Sequence, residues 1–316
     1  MRHPIFVGLL SLILAFARVS NVRAAPPVAL PLEEHVLPNG LRVLLAPDPH
    51  MVDVSVVVRY AAGARDDPAG HEGLAHLVEH LMFTKSKHVP LRGHFHLLEG
   101  AGASDINGMT MEDDTIYRET VPPERLELAL WLESDRMGYL LDTLDDDALQ
   151  HQRTTVLNEY RETRVDTPLS AVPGITQAEL FPAGHPYHHD ATRLVQAIER
   201  TSLDDVRAFV STWYGPSNAM LTIAGRFDPS QAMTLITRYF ATLPPHPPAV
   251  RATPPAPGPL MQTYLHVGAR VSHDQLRISW ITPSYGALGD AELDLAAAVL
   301  VRGDASWLHR ALIEER

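Results

Sequence analysis

The stretch His76-Leu-Val-Glu-His80 places two histidines four residues apart with a glutamate between them. On a helix, residues i and i+4 share a face, so His76 and His80 can aim ring nitrogens at one metal ion, and Glu79, three after His76, borders that face. A zinc ion held this way lowers the pKa of its water to about 7, and a carboxylate at the rim completes general-base activation. That is hydrolytic chemistry. Catalytic zinc takes three protein ligands plus water. The third must come from elsewhere in the chain, and with no cysteine among the 316 residues it is His, Asp or Glu. Seventeen His and seventeen Glu would produce His-x-x-Glu-His by chance in roughly one chain in twenty. The competing reading is a polar helix face in water. The neighbours Leu74, Ala75, Leu77, Val78, Leu81, Met82 and Phe83 argue against it, because His and Glu are costly in apolar surroundings unless paired or bound to metal.

Leu74, Leu77, Val78 and Leu81 recur at helical spacing, which predicts a helix over 71–83. Upstream, 35–49 reads as a hairpin turning at Pro38-Asn39-Gly40, and the β-branched run in 52–67 as a strand. Downstream, 91–102 is helical and ends at Gly100 and Gly102, whereas 104–121 is strand-like. Helices follow over 122–141, opened by prolines, and 145–164, opened by acids that suit a helix start. A capping box, Ser202 with Asp205, opens a helix over 202–216; a buried strand at 218–228 and a helix at 229–243 close this region. Strands and hairpins alternating with helices imply an α+β fold, a mostly antiparallel sheet with helices packed on it.

Residues 244–259 hold eight prolines in sixteen positions and read as a semi-rigid interdomain linker. Strand-like 263–268 and 275–283 follow, then helical segments from Asp290. At the other end, Met1-Arg2-His3 precedes a twelve-residue apolar run, Ile5 to Phe16. Val22 and Ala24 fit the −3 and −1 positions of a signal-peptidase site, so 1–24 reads as an export signal, with an uncleaved anchor as the competing reading. The expected divisions are a signal at 1–24, a metal-binding domain at 25–243, a linker at 244–259 and an incomplete second domain at 260–316. The protein is expected outside the cytoplasm, periplasmic or secreted, with no stable membrane insertion after signal cleavage. A net charge of −12 argues against nucleic acid or an anionic membrane as the main partner.

The sequence Gly73-Leu-Ala-His-Leu-Val-Glu-His-Leu-Met-Phe83 resembles the active-site helix of the pitrilysin family of zinc metallopeptidases, the inverzincins, which includes insulin-degrading enzyme and the mitochondrial processing peptidase. The segments 37–45, 56–67, 102–122 and 184–228 resemble successive parts of the same family in the same order. The resemblance implies one zinc per chain held by His76, His80 and a downstream glutamate, with Glu79 as general base. In Arg153-Thr-Thr-Val-Leu-Asn-Glu159 the matching glutamate is Glu159; Glu162, one turn on, is a rival, and an exposed acidic face is the plain alternative for both. Where the family has an acid seven residues before the ligand, this chain has Gln152. The resemblance also implies that a peptide substrate adds to the sheet edge at Ala103, Ser104 and Asn107; Asn107 before Gly108 reads equally well as a turn residue.

Other groups are set aside. His94 and His96 are two apart and point to different sides of a helix, and His185, His188 and His189 fall in a Gly/Pro loop expected to be exposed. Family members carry two related domains facing each other across a cavity, whereas this chain covers the first and the start of the second. Three functions stand open. The first is a zinc endopeptidase acting on peptides or small unfolded proteins. The second is a non-catalytic or partner-dependent subunit, its partner supplying the missing domain. The third is a metal-dependent hydrolase with another substrate.

Overall fold

The computed structural model describes residues 31–165, 167–188, 193–247, 249–251, 253–257 and 263–314. The signal assigned to 1–24, four positions of the proline-rich segment, the first three residues of the following domain and His189 lie outside them.

Six strands form one sheet: β1 (Glu33–Val36), β2 (Arg42–Pro47), β3 (Val54–Tyr60), β4 (Ser104–Thr110), β5 (Thr115–Val121) and β6 (Ala219–Gly225). Their spatial order is β1-β2-β6-β3-β5-β4. Every pairing is antiparallel except β2 with β6, so the mostly antiparallel α+β expectation holds. β3, β5 and β6 bury every second residue, as a strand with one face on a core must. The segment 104–121, read as one strand-like run, is two strands joined by a tight hairpin at 111–114.

The helices that cover the sheet are α1 (Leu74–Leu81), α2 (Gly93–Gly100), α3 (Leu126–Tyr139), α4 (Asp146–Tyr160), α5 (Val172–Leu180), α6 (Leu194–Arg200), α7 (Leu203–Trp213) and α8 (Pro229–Phe240). Asp145 caps α4 by accepting from the Ala148 amide at 2.9 Å. Ser202 and Asp205 form the expected capping box on α7. The short helices α5 and α6 fall between 165 and 201, a stretch to which the sequence analysis assigns no helix.

Asn39, read as a turn residue, is buried and ties the first hairpin to the end of the domain. Its amide donates to the carbonyls of Phe240 at 2.7 Å and Leu243 at 3.1 Å, satisfying acceptors at the C-terminus of α8.

Past residue 262 the structure departs from expectation. The runs 263–268 and 275–283 hold no regular secondary structure and pair with no strand among the described residues. Leu276, Ile278 and Trp280 are exposed there. A strand exists only as half of a ladder, and without a partner the β-prone composition has nothing to act on. A helix, α9 (Asp290–Val301), does form beyond them.

Asn39→Ala strands buried carbonyls and is expected to lower the unfolding free energy by about 1–3 kcal/mol, read from urea denaturation.

Candidate metal and hydrolytic site

Helix α1 is only eight residues long and buries Leu74, Ala75, Leu77, Val78 and Leu81. Its first amides are held from outside: Asp67 accepts from the Gly73 amide at 2.7 Å and from the Ala75 amide at 2.8 Å. Gly73 sits at φ +91°, and a Cβ there would meet the Ile198 side chain at 2.9 Å, so glycine is required at the entry.

One turn in, His76 and His80 bring their Nε2 atoms to 3.2 Å. Glu159 reaches across from α4, with Oε1 3.7 Å from His76 Nε2 and Oε2 3.3 Å from His80 Nε2. The Arg153 guanidinium orients α4 by donating to the Ile198 carbonyl at 3.0 Å and the Thr201 carbonyl at 2.6 Å, acceptors at the end of α6. Glu162 is exposed on the turn that follows. A tetrahedral zinc with bonds of about 2.0–2.1 Å sets its donors about 3.3–3.4 Å apart. His76 and His80 Nε2 lie 3.2 Å apart and Glu159 turns one carboxylate oxygen to each, at 3.7 and 3.3 Å, so donors of the right types stand within a few tenths of an ångström of that spacing. Burial, and then the neighbouring His76, push the His80 pKa below its ordinary value, which favours the neutral, metal-binding imidazole. Gln152 hydrogen-bonds to His80 from α4.

Glu79 is 8% exposed. The Thr110 hydroxyl on β4 donates to its Oε2 at 2.5 Å. Gly108 makes that approach possible, since a Cβ there would lie 2.8 Å from both Glu79 Cγ and Oε1 and 2.9 Å from the Phe83 ring. Neither Gly108 nor Thr110 was singled out from the sequence. The only signal was a glycine inside a strand-like run, which marks close approach of another group.

A cavity of about 1030 Å³ opens over these groups. Asn107 lines it, together with Phe83, Phe95 and Gln152. Ala103 and Ser104 do not line it. A bulge separates them from Asn107, with Asp105 at φ +53° and the pairing shifted between Ser104 and Asn107. β4 is nonetheless an edge strand of the sheet among the described residues, as the substrate-docking expectation needs.

Two family models match this sequence, one described as insulinase (peptidase family M16) over residues 42–174, the other as the peptidase M16 inactive domain over 200–316. The chain belongs to peptidase family M16. Among its M16 relatives, the zinc protease PqqE of Helicobacter pylori is 27% identical over 91% of this chain and 65% of its own length. The coenzyme PQQ synthesis protein F of Pseudomonas aeruginosa is 32% identical over 70% of this chain and 28% of its own. The chain therefore spans between about a quarter and two thirds of these relatives. A solved protease from Helicobacter pylori shares the fold with a TM-score of 0.74 at 23% identity, covering 91% of this chain and 69% of that one. The periplasmic protease PqqL from Escherichia coli shares it with a TM-score of 0.65 at 23% identity, over 73% of this chain and 26% of that one.

Among the described residues there is a second group of metal-type side chains. His94, Glu119 and Glu133 place ligand-type atoms within 4.8 Å of one another and are buried, with Arg136 paired to Glu133 beside them. His94 and His96 do face different ways: His94 is buried and His96 exposed. The His185 loop corrects the expectation of exposure, for His185 is buried, stacks on Phe181 and accepts from the Tyr187 amide at 3.0 Å. A Pro/Gly-rich composition marks a loop but does not place it on the surface when aromatic residues anchor it.

Burial, followed by the nearby Glu133, raises the Glu119 pKa well above the usual carboxylate range. The folded state therefore holds that proton at pH values where the unfolded chain releases it, and stability from this group falls as pH rises above about 4.3. Glu119→Gln removes that loss. Its melting temperature is expected to exceed that of the natural protein at pH 8 and the gap to narrow toward pH 5, read by calorimetry. Gly108→Ala is expected to displace Glu79 and reduce peptide hydrolysis by about tenfold or more while the chain still folds, read as kcat.

Proposed function

We propose that this chain is a zinc-dependent endopeptidase unit that hydrolyses peptides or small unfolded proteins outside the cytoplasm. The observation that carries this reading is the convergence of His76, His80 and Glu159 beside the buried carboxylate of Glu79. Zinc, when bound, supplies Lewis acidity and lowers the pKa of water in its shell to about 7. His76 and His80 contribute neutral imidazoles, and Glu159 a carboxylate that reduces the net charge. Glu79 takes the proton of the attacking water and returns it to the leaving amine nitrogen. With Oε2 engaged by Thr110, Oε1 is the atom that accepts, and Thr110 keeps the carboxylate from turning away. Asn107 offers a side-chain amide to the substrate main chain, and an extended peptide pairs with the free edge of β4.

The setting outside the cytoplasm rests on the apolar run and cleavage pattern of residues 1–24 and on kinship with a protease described as periplasmic. Among the described residues no helix is long and apolar enough to cross a membrane. A partner-dependent form of the same activity is favoured by one observation: beyond residue 262 large apolar side chains stand uncovered, Tyr285 at 98% and Leu288 at 95% exposure. A second surface, from a partner subunit or further chain, would cover them and close over the substrate.

Glu79→Gln is expected to retain about one zinc per chain and to lose cleavage of a quenched fluorescent peptide by about a hundredfold or more. Glu159→Ala is expected to lose the metal itself. Zinc bound with no cleavage by the natural protein at any concentration, alone or with its cavity-closing partner, would remove the endopeptidase reading.

A further inference from the structure

The proline-rich segment, read from sequence as a linker, is fastened to the catalytic domain, and its fastening point lies at the root of the candidate site. Arg251 donates through Nε to Asp66 Oδ1 at 2.8 Å and through Nη2 to Asp66 Oδ2 at 2.5 Å. The same Nη2 faces the carbonyls of Ala61 at 3.0 Å and Asp113 at 2.9 Å. Its guanidinium carbon stands 5.5 Å from the centre of the Trp213 ring. The Asp66 side chain is only 4% exposed, so this bidentate pair is screened little by water. Five residues earlier, the His246 carbonyl accepts from the Ser217 hydroxyl at 2.7 Å, which gives the segment a second anchor.

The partners of Arg251 belong to two loops. Asp66 adjoins Asp67, whose carboxylate holds the first amides of α1, the helix of His76, Glu79 and His80. Asp113 belongs to the hairpin at 111–114, which follows Thr110, the donor to Glu79. These loops also touch directly, through Ala64 N to Met111 O at 2.9 Å and Arg65 N to Glu112 O at 3.0 Å. A single guanidinium thus ties the lead-in of the metal-binding helix to the end of the edge strand and binds both to the segment leading out of the domain.

We infer that Arg251 is a positioning residue for the hydrolytic site. It sets the relative placement of α1 and β4, and so of the metal donors against the Glu79–Thr110 pair, and it makes the site sensitive to where the following residues are held. This rests on the proposed peptidase function for its catalytic consequence, though not for its structural one.

The test uses the full chain with Arg251→Met, Arg251→Lys and Asp66→Asn, and with Val250→Ala, a fully solvated neighbour at 89% exposure, as control. Arg251→Met is expected to speed amide exchange about tenfold in residues 64–81 and 107–114 with the rest of the sheet unaffected. It is expected to weaken zinc about tenfold in chelator competition, and to lower kcat about tenfold with KM within about twofold. Arg251→Lys recovers part of each effect, and Arg251→Met combined with Asp66→Asn is no worse than either alone. Unchanged exchange in both segments with unchanged zinc affinity overturns the inference. So does a uniform rise in exchange across the domain, which marks general loss of stability. If Arg251→Met fails to fold, Arg251→Lys and Asp66→Asn decide by the same readouts. If the natural protein binds zinc but cleaves nothing, the peptidase reading fails, while the exchange and zinc arms still decide the role of Arg251.

Discussion

Two hydrogen bonds from the amides of Gly73 and Ala75 to the Asp67 carboxylate fix the start of α1, and the candidate site depends on that start. An isolated helix of eight residues does not persist in water, because nucleation costs more than so few bonds return. α1 persists because five of its apolar side chains are buried and because its orphan amides have an anionic acceptor. With the axis set, the spacing of His76, Glu79 and His80 becomes geometry: two imidazoles on one side, a carboxylate at the border. No flexible loop could hold two Nε2 atoms 3.2 Å apart without a metal already present.

The remaining parts arrive from distant stretches of chain, each with its own fastening. Glu159 comes on α4, which is pinned at its cap by Asp145 and at its middle by Arg153 to the end of α6. Thr110 and Asn107 come on β4, which is held in register by β5. The sheet edge carrying them is free for a guest strand, and the bulge at Asp105 interrupts that edge just upstream of the cavity.

What could be read from sequence follows a physical division. Local pattern exposed whatever is local: the helical spacing of Leu74, Leu77, Val78 and Leu81, the acids that start α4, the Ser202–Asp205 box, and the β-branched run of β3. His76, Glu79 and His80 were visible for the same reason, since their relation is one helical turn. Glu159 was reachable only through the family resemblance, because a contact spanning some eighty residues leaves no periodic trace. Gly108 and Thr110 were missed, for their importance lies in being next to Glu79, which is a fact about packing. Arg251 was missed because a run of prolines reads as a spacer, and composition is silent about one guanidinium that docks. The strands expected at 263–268 and 275–283 failed in the opposite sense: their composition is right for strands, and the ladder partner is what they lack among the described residues.

Among the described residues stand two clusters of metal-type donors, and charge separates them. At His94, Glu119 and Glu133 the groups neutralise one another. Burial keeps His94 uncharged, Glu119 retains its proton, and Glu133 is matched by Arg136. That leaves one internal ion pair, and the guanidinium also lies 4.2 Å from the centre of the Tyr117 ring and 5.0 Å from that of Phe83. A divalent ion there would have to displace or face Arg136 in a dry interior, a cost its few donors could not offset. At α1 the balance is reversed. Among the described residues, neither Glu79 nor Glu159 is paired with a lysine or arginine, the two imidazoles beside them are most stable neutral as ligands, and the site opens to a cavity. The donors His76, His80 and Glu159 stand close to the spacing a zinc ion would impose. Phe83 lines the cavity, stacks on Phe95 and has its ring centre 5.0 Å from the Arg136 guanidinium carbon. Charge and burial thus separate a closed, internally balanced network from a set of donors that opens to the cavity.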